Sequence, residues 1–383
     1  MCPLTNHHFF ARNNTDMSNG ANITSQLESL CENAENVPFH QQRDFVYGEF
    51  GALSSVFLLT CVCAIFSLNG KQKSLSNAET QPFWSPTILR KLFYWFAVVG
   101  SAAGVAAWMC NMFALVYNID FTEFVRKHPT RAAESLSRAL VLSAAFDVIY
   151  AVEFWCLTLA KLLAFEYTHT IKQEILSRVK FTLDDKHKYS YYACMSLVIF
   201  FNSFGVLWRV LAALKASNAS KNDIFSAPSQ LADDFNWSRK YASWQLVCEC
   251  ASLLTIVLYI TLHLFNAYKT QKRLGASEQL LNASSDAAIE RRSAHTACRW
   301  PQRAVIFVAV TFFFRLCFTV LYTIASMSSL DGNCRDPCGP CQSFFAQIWS
   351  YSVFAPHVRF VLLLISEPGV VLWVLFCLKQ LQR

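Results

Sequence analysis

The sequence predicts an all-α membrane protein: a bundle of seven transmembrane helices with its N-terminus outside and its C-terminus in the cytosol. Of its 383 residues, 54% are hydrophobic and only 15% are charged, whereas a soluble domain carries roughly 25% charged residues. Seven apolar segments are long enough to cross a bilayer, which takes about 20 helical residues. Lys and Arg are also unevenly divided between alternate loops, as the positive-inside rule expects.

The predicted spans divide the chain into an extracytosolic tail at 1–45, a membrane domain at 46–378 and a cytosolic tail at 379–383. The first tail is polar and lacks the apolar core of a signal peptide, so the first span would carry it across the membrane. The stretch before the seventh span, 344–356, is expected to lie at the outer interface because it contains Trp349 and Tyr351. The spans are placed near 46–68, 91–117, 139–165, 189–214, 241–268, 304–327 and 357–378.

Two patterns indicate the orientation of the bundle. Eighteen Lys and Arg residues fall in the loops on one side and eleven on the other, and the richer side is predicted to be cytosolic. Glycosylation sequons agree, because four fall on the predicted outside and the fifth, Asn282, falls inside, where it should stay unmodified. The four outer sequons are at Asn13, Asn22, Asn218 and Asn236.

The longest cytosolic segment is the loop 269–303. The middle of this loop consists of small, polar and charged residues, a composition typical of either a solvated linker or a short helical extension. A docking site for a cytosolic protein is the alternative function.

Cysteines on the predicted outside indicate disulfide chemistry rather than a metal site. Cys334, Cys338 and Cys341 lie in CRDPCGPC, and three thiols cannot pair among themselves, so one is expected to reach Cys31. An oxidising exterior disfavours an iron–sulfur cluster, and zinc would need a fourth ligand. We therefore predict no metal and no cofactor.

Charged residues inside the predicted spans are expected to face the bundle interior and to have partners. The helical rise places Asp147, Arg209 and Glu249 at similar depths in the outer half, where Arg209 could bridge the two acids. This cluster is the candidate ligand-binding or polar core.

A second charged set lies near the midplane and consists of Arg315, Glu367 and Glu153. Arg315 with Glu367 is the expected ion pair, because a short outer loop joins their helices. Pro368 and Gly369 should kink the seventh helix beside this pair. Lys161 is expected to reach the cytosolic interface instead. Such charges form structural pairs, a ligand or ion site, or a proton path, and the sequence leaves these alternatives open.

The second span contains Gly100 and Gly104 among small residues, a pattern that permits close helix approach. Packing within the chain and dimerisation are the two interpretations. The sequence contains no phosphate loop and no nucleophile with its base, so we predict that the protein is not an enzyme.

Several segments resemble the plant tobamovirus-multiplication-protein family and its animal orphan receptor-like relatives. The sixth span, VTFFFRLCFTVLYTIAS, carries Arg315 and Cys317, and the seventh, SEPGVVLWVLFCLKQL, carries Glu367 and Pro368. SPTILRKLFYWFAVVGSAAG and LTLAKLLAFEY are looser matches. The resemblance implies a topology similar to that of G-protein-coupled receptors. It also implies a receptor-like or scaffolding role in the plasma membrane or a vacuolar or endolysosomal membrane.

The expected function is therefore that of a non-enzymatic receptor-like or scaffolding protein embedded in lipid. It would take a small ligand at its outer face or recruit a cytosolic protein through 269–303, with no role for nucleic acid. The alternative is a transporter or channel with a polar pathway through Asp147, Arg209 and Glu249.

Overall fold

The computed structural model describes residues 39–69, 86–124, 128–178, 186–221, 228–280, 299–330 and 357–380, and within these ranges the chain is helical apart from short turns. The all-α prediction is confirmed. The helices are α1 (Phe39–Asn69), α2 (Pro86–Phe124), α3 (Pro129–Arg178), α4 (Lys186–Ala219), α5 (Pro228–Leu280), α6 (Arg299–Leu330), α7 (His357–Leu364) and α8 (Val370–Gln380); a π-helical segment (Ile365–Gly369) joins α7 to α8.

Six of these helices are long and apolar enough to cross a membrane. The six apolar stretches are Tyr47–Leu68, Thr87–Phe121, Thr130–Thr168, Tyr189–Ala219, Asn236–Asn266 and Ile306–Ile324. The seventh predicted span corresponds to a shorter apolar stretch, Val361–Cys377, which contains the π segment. The chain is a multi-pass integral membrane protein.

Prolines mark where three of the long helices begin. α2, α3 and α5 start at Pro86, Pro129 and Pro228. Proline suits the first helical position because its fixed φ is already helical and its missing N–H would have no intrahelical acceptor there. These residues set the start of each helix but not its packing.

The outer surface of the bundle is apolar and its interior carries polar groups. Phe66 is 74% exposed and Leu262 is 62% exposed, as expected of side chains that face lipid. Some hydroxyl groups bond within their own helix: Thr60 and Thr319 donate to the carbonyls of Val56 and Arg315, four residues earlier.

The helices form a ring in chain order. Each of α1 to α6 packs against the next, and α7 and α8 return to contact α1. α3 also reaches across to α6 and α8, so it is the inner helix of the bundle. Side chains on α3 can therefore meet partners from several helices.

The small residues of α2 pack within the chain. A Cβ added at Gly104 would lie 2.4 Å from the Phe57 ring of α1, and one added at Gly100 would lie 2.7 Å from Leu157 of α3. Of the two interpretations, packing within the chain agrees with the structure, because α1 and α3 already fill these two positions.

Two helices continue well beyond their apolar stretches. α3 extends from Thr168 to Arg178 and α5 from Asn266 to Leu280, about 15 Å and about 21 Å further at the helical rise. The predicted loop 269–303 is thus helical at 269–280 and at 299–303.

Some predictions fall outside the described residues. They concern most of the tail 1–45 with Asn13, Asn22 and Cys31, the interfacial segment 344–356, and the cysteines Cys334, Cys338 and Cys341. The cysteines within the described ranges are unpaired thiols.

Candidate functional site

A line of buried polar residues follows one face of α3. Asp147, Tyr150, Glu153 and Lys161 recur at helical spacing, and their exposures are 7%, 5%, 1% and 3%. The line covers about 21 Å along the helix, most of the depth of a bilayer. We call these four residues and the side chains that contact them the polar column.

The outer part of the polar column is an ion pair between α3 and α4. Arg209 donates from Nη1 to Oδ1 of Asp147, and both side chains are about nine-tenths buried. The same guanidinium lies 5.1 Å from the centroid of the Tyr150 ring, a distance at which a cation is attracted to the aromatic face. Tyr150 therefore contacts the first ion pair with its ring.

Tyr150 also contacts a second ion pair, through its hydroxyl group. Nη2 of Arg315 in α6 lies 2.7 Å from the Tyr150 hydroxyl and 2.7 Å from Oε1 of Glu249 in α5. The Tyr150 hydroxyl is 3.3 Å from Oε2 of Glu249, and Gln245 donates to the same oxygen at 3.1 Å. Three helices thus converge on one tyrosine.

The predicted outer cluster is partly confirmed. Asp147 and Arg209 form the expected pair, but the prediction that Arg209 bridges to Glu249 is wrong, because Glu249 pairs with Arg315. The helical rise gives depth correctly, yet partner choice depends on which way each residue faces around its helix. Sequence position alone did not fix that rotation for α5.

The inner part of the polar column connects α3 to the seventh helix. Lys161 Nζ donates to Oε2 of Glu367 at 2.7 Å and to the backbone carbonyl of Ser366 at 2.8 Å. It also lies 5.1 Å from the centroid of the Phe312 ring. The lysine therefore holds both a side chain and a backbone carbonyl of the π segment.

Two predictions at this level are wrong. Arg315 does not pair with Glu367, because Lys161 takes Glu367 and Arg315 takes Glu249. Lys161 does not extend its side chain to the interface, since that side chain is 3% exposed and bonded inside the bundle. A lysine that faces the interior can form an ion pair with a buried acid. Its side chain then does not need to extend to water.

The sequence of the seventh helix explains its π segment. Pro368 has no N–H and its ring would clash with the carbonyl of Leu364, four residues earlier, so a regular α-turn is disfavoured. Gly369 follows where a Cβ would lie 2.7 Å from the same carbonyl oxygen. The structure has an irregularity where a kink was predicted, and its form is a π-helical turn.

Glu153 lies between the two paired regions and differs from the other acids. The indole N–H of Trp108 in α2 donates to its Oε1 at 3.3 Å. Its Oε2 is buried and has no hydrogen-bond partner among the residues that the structure describes. The charges of Glu367, Arg315 and Lys161 act on it, but none of the three is bonded to it.

Sequence reasoning missed Tyr150, Trp108 and Gln245 as parts of the site because they carry no formal charge. One signal could have found Tyr150. It lies three residues from both Asp147 and Glu153, and residues three apart share a helix face. Nothing comparable points to Trp108, which reaches Glu153 only through the packing of α2 on α3.

The chemistry available to the polar column is that of charge pairing and hydrogen bonding. Among the described residues, no group of three or more His, Cys, Asp or Glu side chains could hold a metal ion.

Comparison with known proteins adds no relative. No family model, no curated protein and no solved structure matches the chain. The fold and the polar column define a class, that of all-helical multi-pass membrane proteins with a charged interior. The resemblance to the tobamovirus-multiplication-protein family stays a prediction drawn from the residues.

Proposed function

We propose that the protein is a non-enzymatic, receptor-like seven-helix membrane protein that transmits a change from its outer half to its seventh helix. One observation carries this proposal: Lys161 holds the π segment by the Glu367 carboxylate and the Ser366 carbonyl. Lys161 is on the same rigid helix as Asp147 and Tyr150, so a displacement of α3 at one end acts on the other.

The orientation in this proposal rests on contacts as well as on charge. Ser137 donates to the Ser220 carbonyl at 2.9 Å, and Lys215 lies 2.8 Å from Asp234. These contacts bring the start of α3, the end of α4 and the start of α5 to one end of the bundle. That end is the proposed outer face, since the opposite loops carry more Lys and Arg.

The polar column suits signalling because the charges of Arg315 and Lys161 act on a further acid, Glu153, besides the acids with which they pair. Arg315 forms an ion pair with Glu249, and the charges of Arg315, Lys161 and Glu367 all act on Glu153. A small ligand that displaced α3 or α4 at the outer face would favour another set of pairs. The seventh helix and the helical ends of the loop 269–303 would then present the change to a cytosolic protein.

Hydrogen–deuterium exchange tests this coupling. Glu249→Gln removes a charge that contacts α3 and α6, so we expect faster exchange in α8, which Glu249 does not bond. Asp234→Asn is the matched control because its pair with Lys215 is partly exposed, and it should leave α8 unchanged. If exchange in α8 were the same in both folded variants, the proposed transmission would be wrong.

A transporter is the second candidate, and the depth of the polar column favours it. In proteoliposomes, a transporter would support ion or solute flux that Arg209→Gln abolishes. The receptor-like proposal expects no flux above that of empty vesicles for either chain. Sustained flux through the wild-type chain would replace the first proposal with the second.

A further inference from the structure

We propose that Glu153 binds one proton inside the bundle, so that the polar column holds it as a neutral carboxylic acid. This site lies beyond the proposed signalling role and does not depend on it. The carboxyl group sits in α3 between Tyr150 and Lys161, with Trp108 of α2 against it.

The first argument is the charge balance of the polar column. Each of its three cations already has an acid: Arg209 has Asp147, Arg315 has Glu249, and Lys161 has Glu367. Glu153 is the fourth acid, and within the described residues no cation is bonded to it. A surplus negative charge therefore falls on this residue unless it takes up a positive one.

The second argument is the environment of the carboxyl group. Glu153 is 1% exposed, and among the described residues the hydrogen bond that it accepts comes from a neutral indole. Its Oε2 is buried without a partner among the described side chains. An isolated carboxylate in such surroundings is strongly disfavoured, and groups in this position neutralise instead. Proton binding at Oε2 removes the charge without requiring a further ligand.

A metal cation would suit the site less well. Hard cations in proteins are held by several oxygen ligands at once. In the part of the chain that the structure describes, no group of three or more His, Cys, Asp or Glu side chains could hold a metal ion. The geometry fits a proton bound directly to the carboxyl group.

Loss of the proton from Glu153 would affect the ionisable groups around it. They are Tyr150 and Lys161 of α3, Arg315 of α6 and Glu367 of the π segment. Two further nitrogens of Arg315, Nε and Nη1, are buried without partners among the described residues. Once deprotonated, Glu153 would compete with Glu249 for Arg315 and with Glu367 for Lys161.

Infrared difference spectroscopy on the purified full-length protein tests the site. The wild type should show the carbonyl stretch of a buried protonated carboxylic acid at neutral pH, and Glu153→Gln should lose it. Glu134→Gln is the control, because Glu134 is 61% exposed beside Arg138, and it should keep the band. Trp108→Phe should shift the frequency, since it removes the indole hydrogen bond.

Thermal unfolding gives an independent measurement. Gln imitates a neutral carboxylic acid, so Glu153→Gln should fold and should match the wild-type melting temperature at neutral pH. A variant that fails to fold, or a band that persists in Glu153→Gln, would overturn the proposal. A melting temperature that rises with NaCl but not with choline chloride, in the wild type alone, would show a metal cation in place of the proton.

Discussion

Lys161 and Glu367 form an ion pair of 2.7 Å that links the inner helix of the bundle to the break in its seventh helix. Both side chains are 3% exposed, so neither charge is relieved by water. The same ammonium group lies 2.8 Å from the Ser366 carbonyl. Pro368 widens this turn, and Thr60 of α1 lies 3.5 Å from the Pro368 carbonyl. α3 therefore holds the break through two hydrogen bonds, and α1 packs beside it.

Loss of the Lys161 charge should strongly destabilise the protein. Lys161→Met leaves Glu367 buried without a cation, which costs about 3–5 kcal/mol in the free energy of unfolding. Unfolding in detergent, followed by a helix signal, measures the change. The double variant Lys161→Met with Glu367→Gln should recover much of the loss, because no charge is then left unpaired.

Lys215→Met serves as the control for that experiment. The Lys215–Asp234 pair is 36% and 20% exposed, and pairs at such sites contribute at most about 1 kcal/mol. If the two lysine variants were equally stable, burial of the Lys161–Glu367 pair would not be the cause of the destabilisation.

The Tyr150 hydroxyl should contribute separately from its ring. Tyr150→Phe keeps the aromatic ring against Arg209 and leaves Arg315 paired with Glu249. It removes the hydroxyl oxygen that contacts both Arg315 and Glu249. We expect a loss of about 1–3 kcal/mol in the free energy of unfolding, the usual effect of leaving a buried polar group without a partner. Tyr189→Phe, at a residue 77% exposed, should have no measurable effect. An equal effect at both positions would contradict the bridging role.

Close packing of α2 on α1 should depend on Gly104. A Cβ there would lie 2.4 Å from the Phe57 ring, so Gly104→Ala forces the ring to move and costs about 1–3 kcal/mol. Adding Phe57→Leu should restore part of the stability, because the ring is gone. Thermal melts of the purified chain measure both changes.

Gly51→Ala is the matched control. No atom lies within 4 Å of its added Cβ, and alanine is favoured over glycine in a helix by about 1 kcal/mol. This variant should be at least as stable as the wild type. A destabilisation equal to that of Gly104→Ala would show that the Phe57 contact is not the cause.

Glycosylation should report the orientation. Asn218 is exposed at the end of α4, and Asn236 is partly exposed in α5, at the same end of the bundle. Expression in a glycosylating cell should give a protein whose apparent mass falls with Asn218→Gln or Asn236→Gln, and falls further on removal of all glycans. Asn282→Gln should leave the mass unchanged. A shift with Asn282→Gln alone would place the loop 269–303 outside and reverse the proposed topology.

Much of the fold could be read from local properties of the chain. The apolar stretches located the spans near their observed positions, and Pro86, Pro129 and Pro228 mark observed helix starts. An irregularity at Pro368 is expected from its missing N–H and its ring, which act on their own helix, and the structure shows that its form is the π segment. Each of these features depends on residues within a few turns of one another.

The candidate site was only partly predictable. Depth along each helix correctly joined Asp147 to Arg209, because rise per residue is constant. Pairing failed for Arg315, whose partner is Glu249, and for Glu367, whose partner is Lys161. Those choices depend on the rotation of each helix about its axis, which near-uniformly apolar segments leave undetermined.

The sequence by itself determined that this chain is helical, that it crosses the membrane several times and that its interior holds charges. Those properties follow from hydropathy and helical rise, which act along the chain. Only the tertiary structure decided that Tyr150 joins two ion pairs, that Lys161 holds the π segment and that Glu153 is left without a cation. Contacts between helices depend on how α3 packs among its neighbours, and residues far apart in sequence set that packing together.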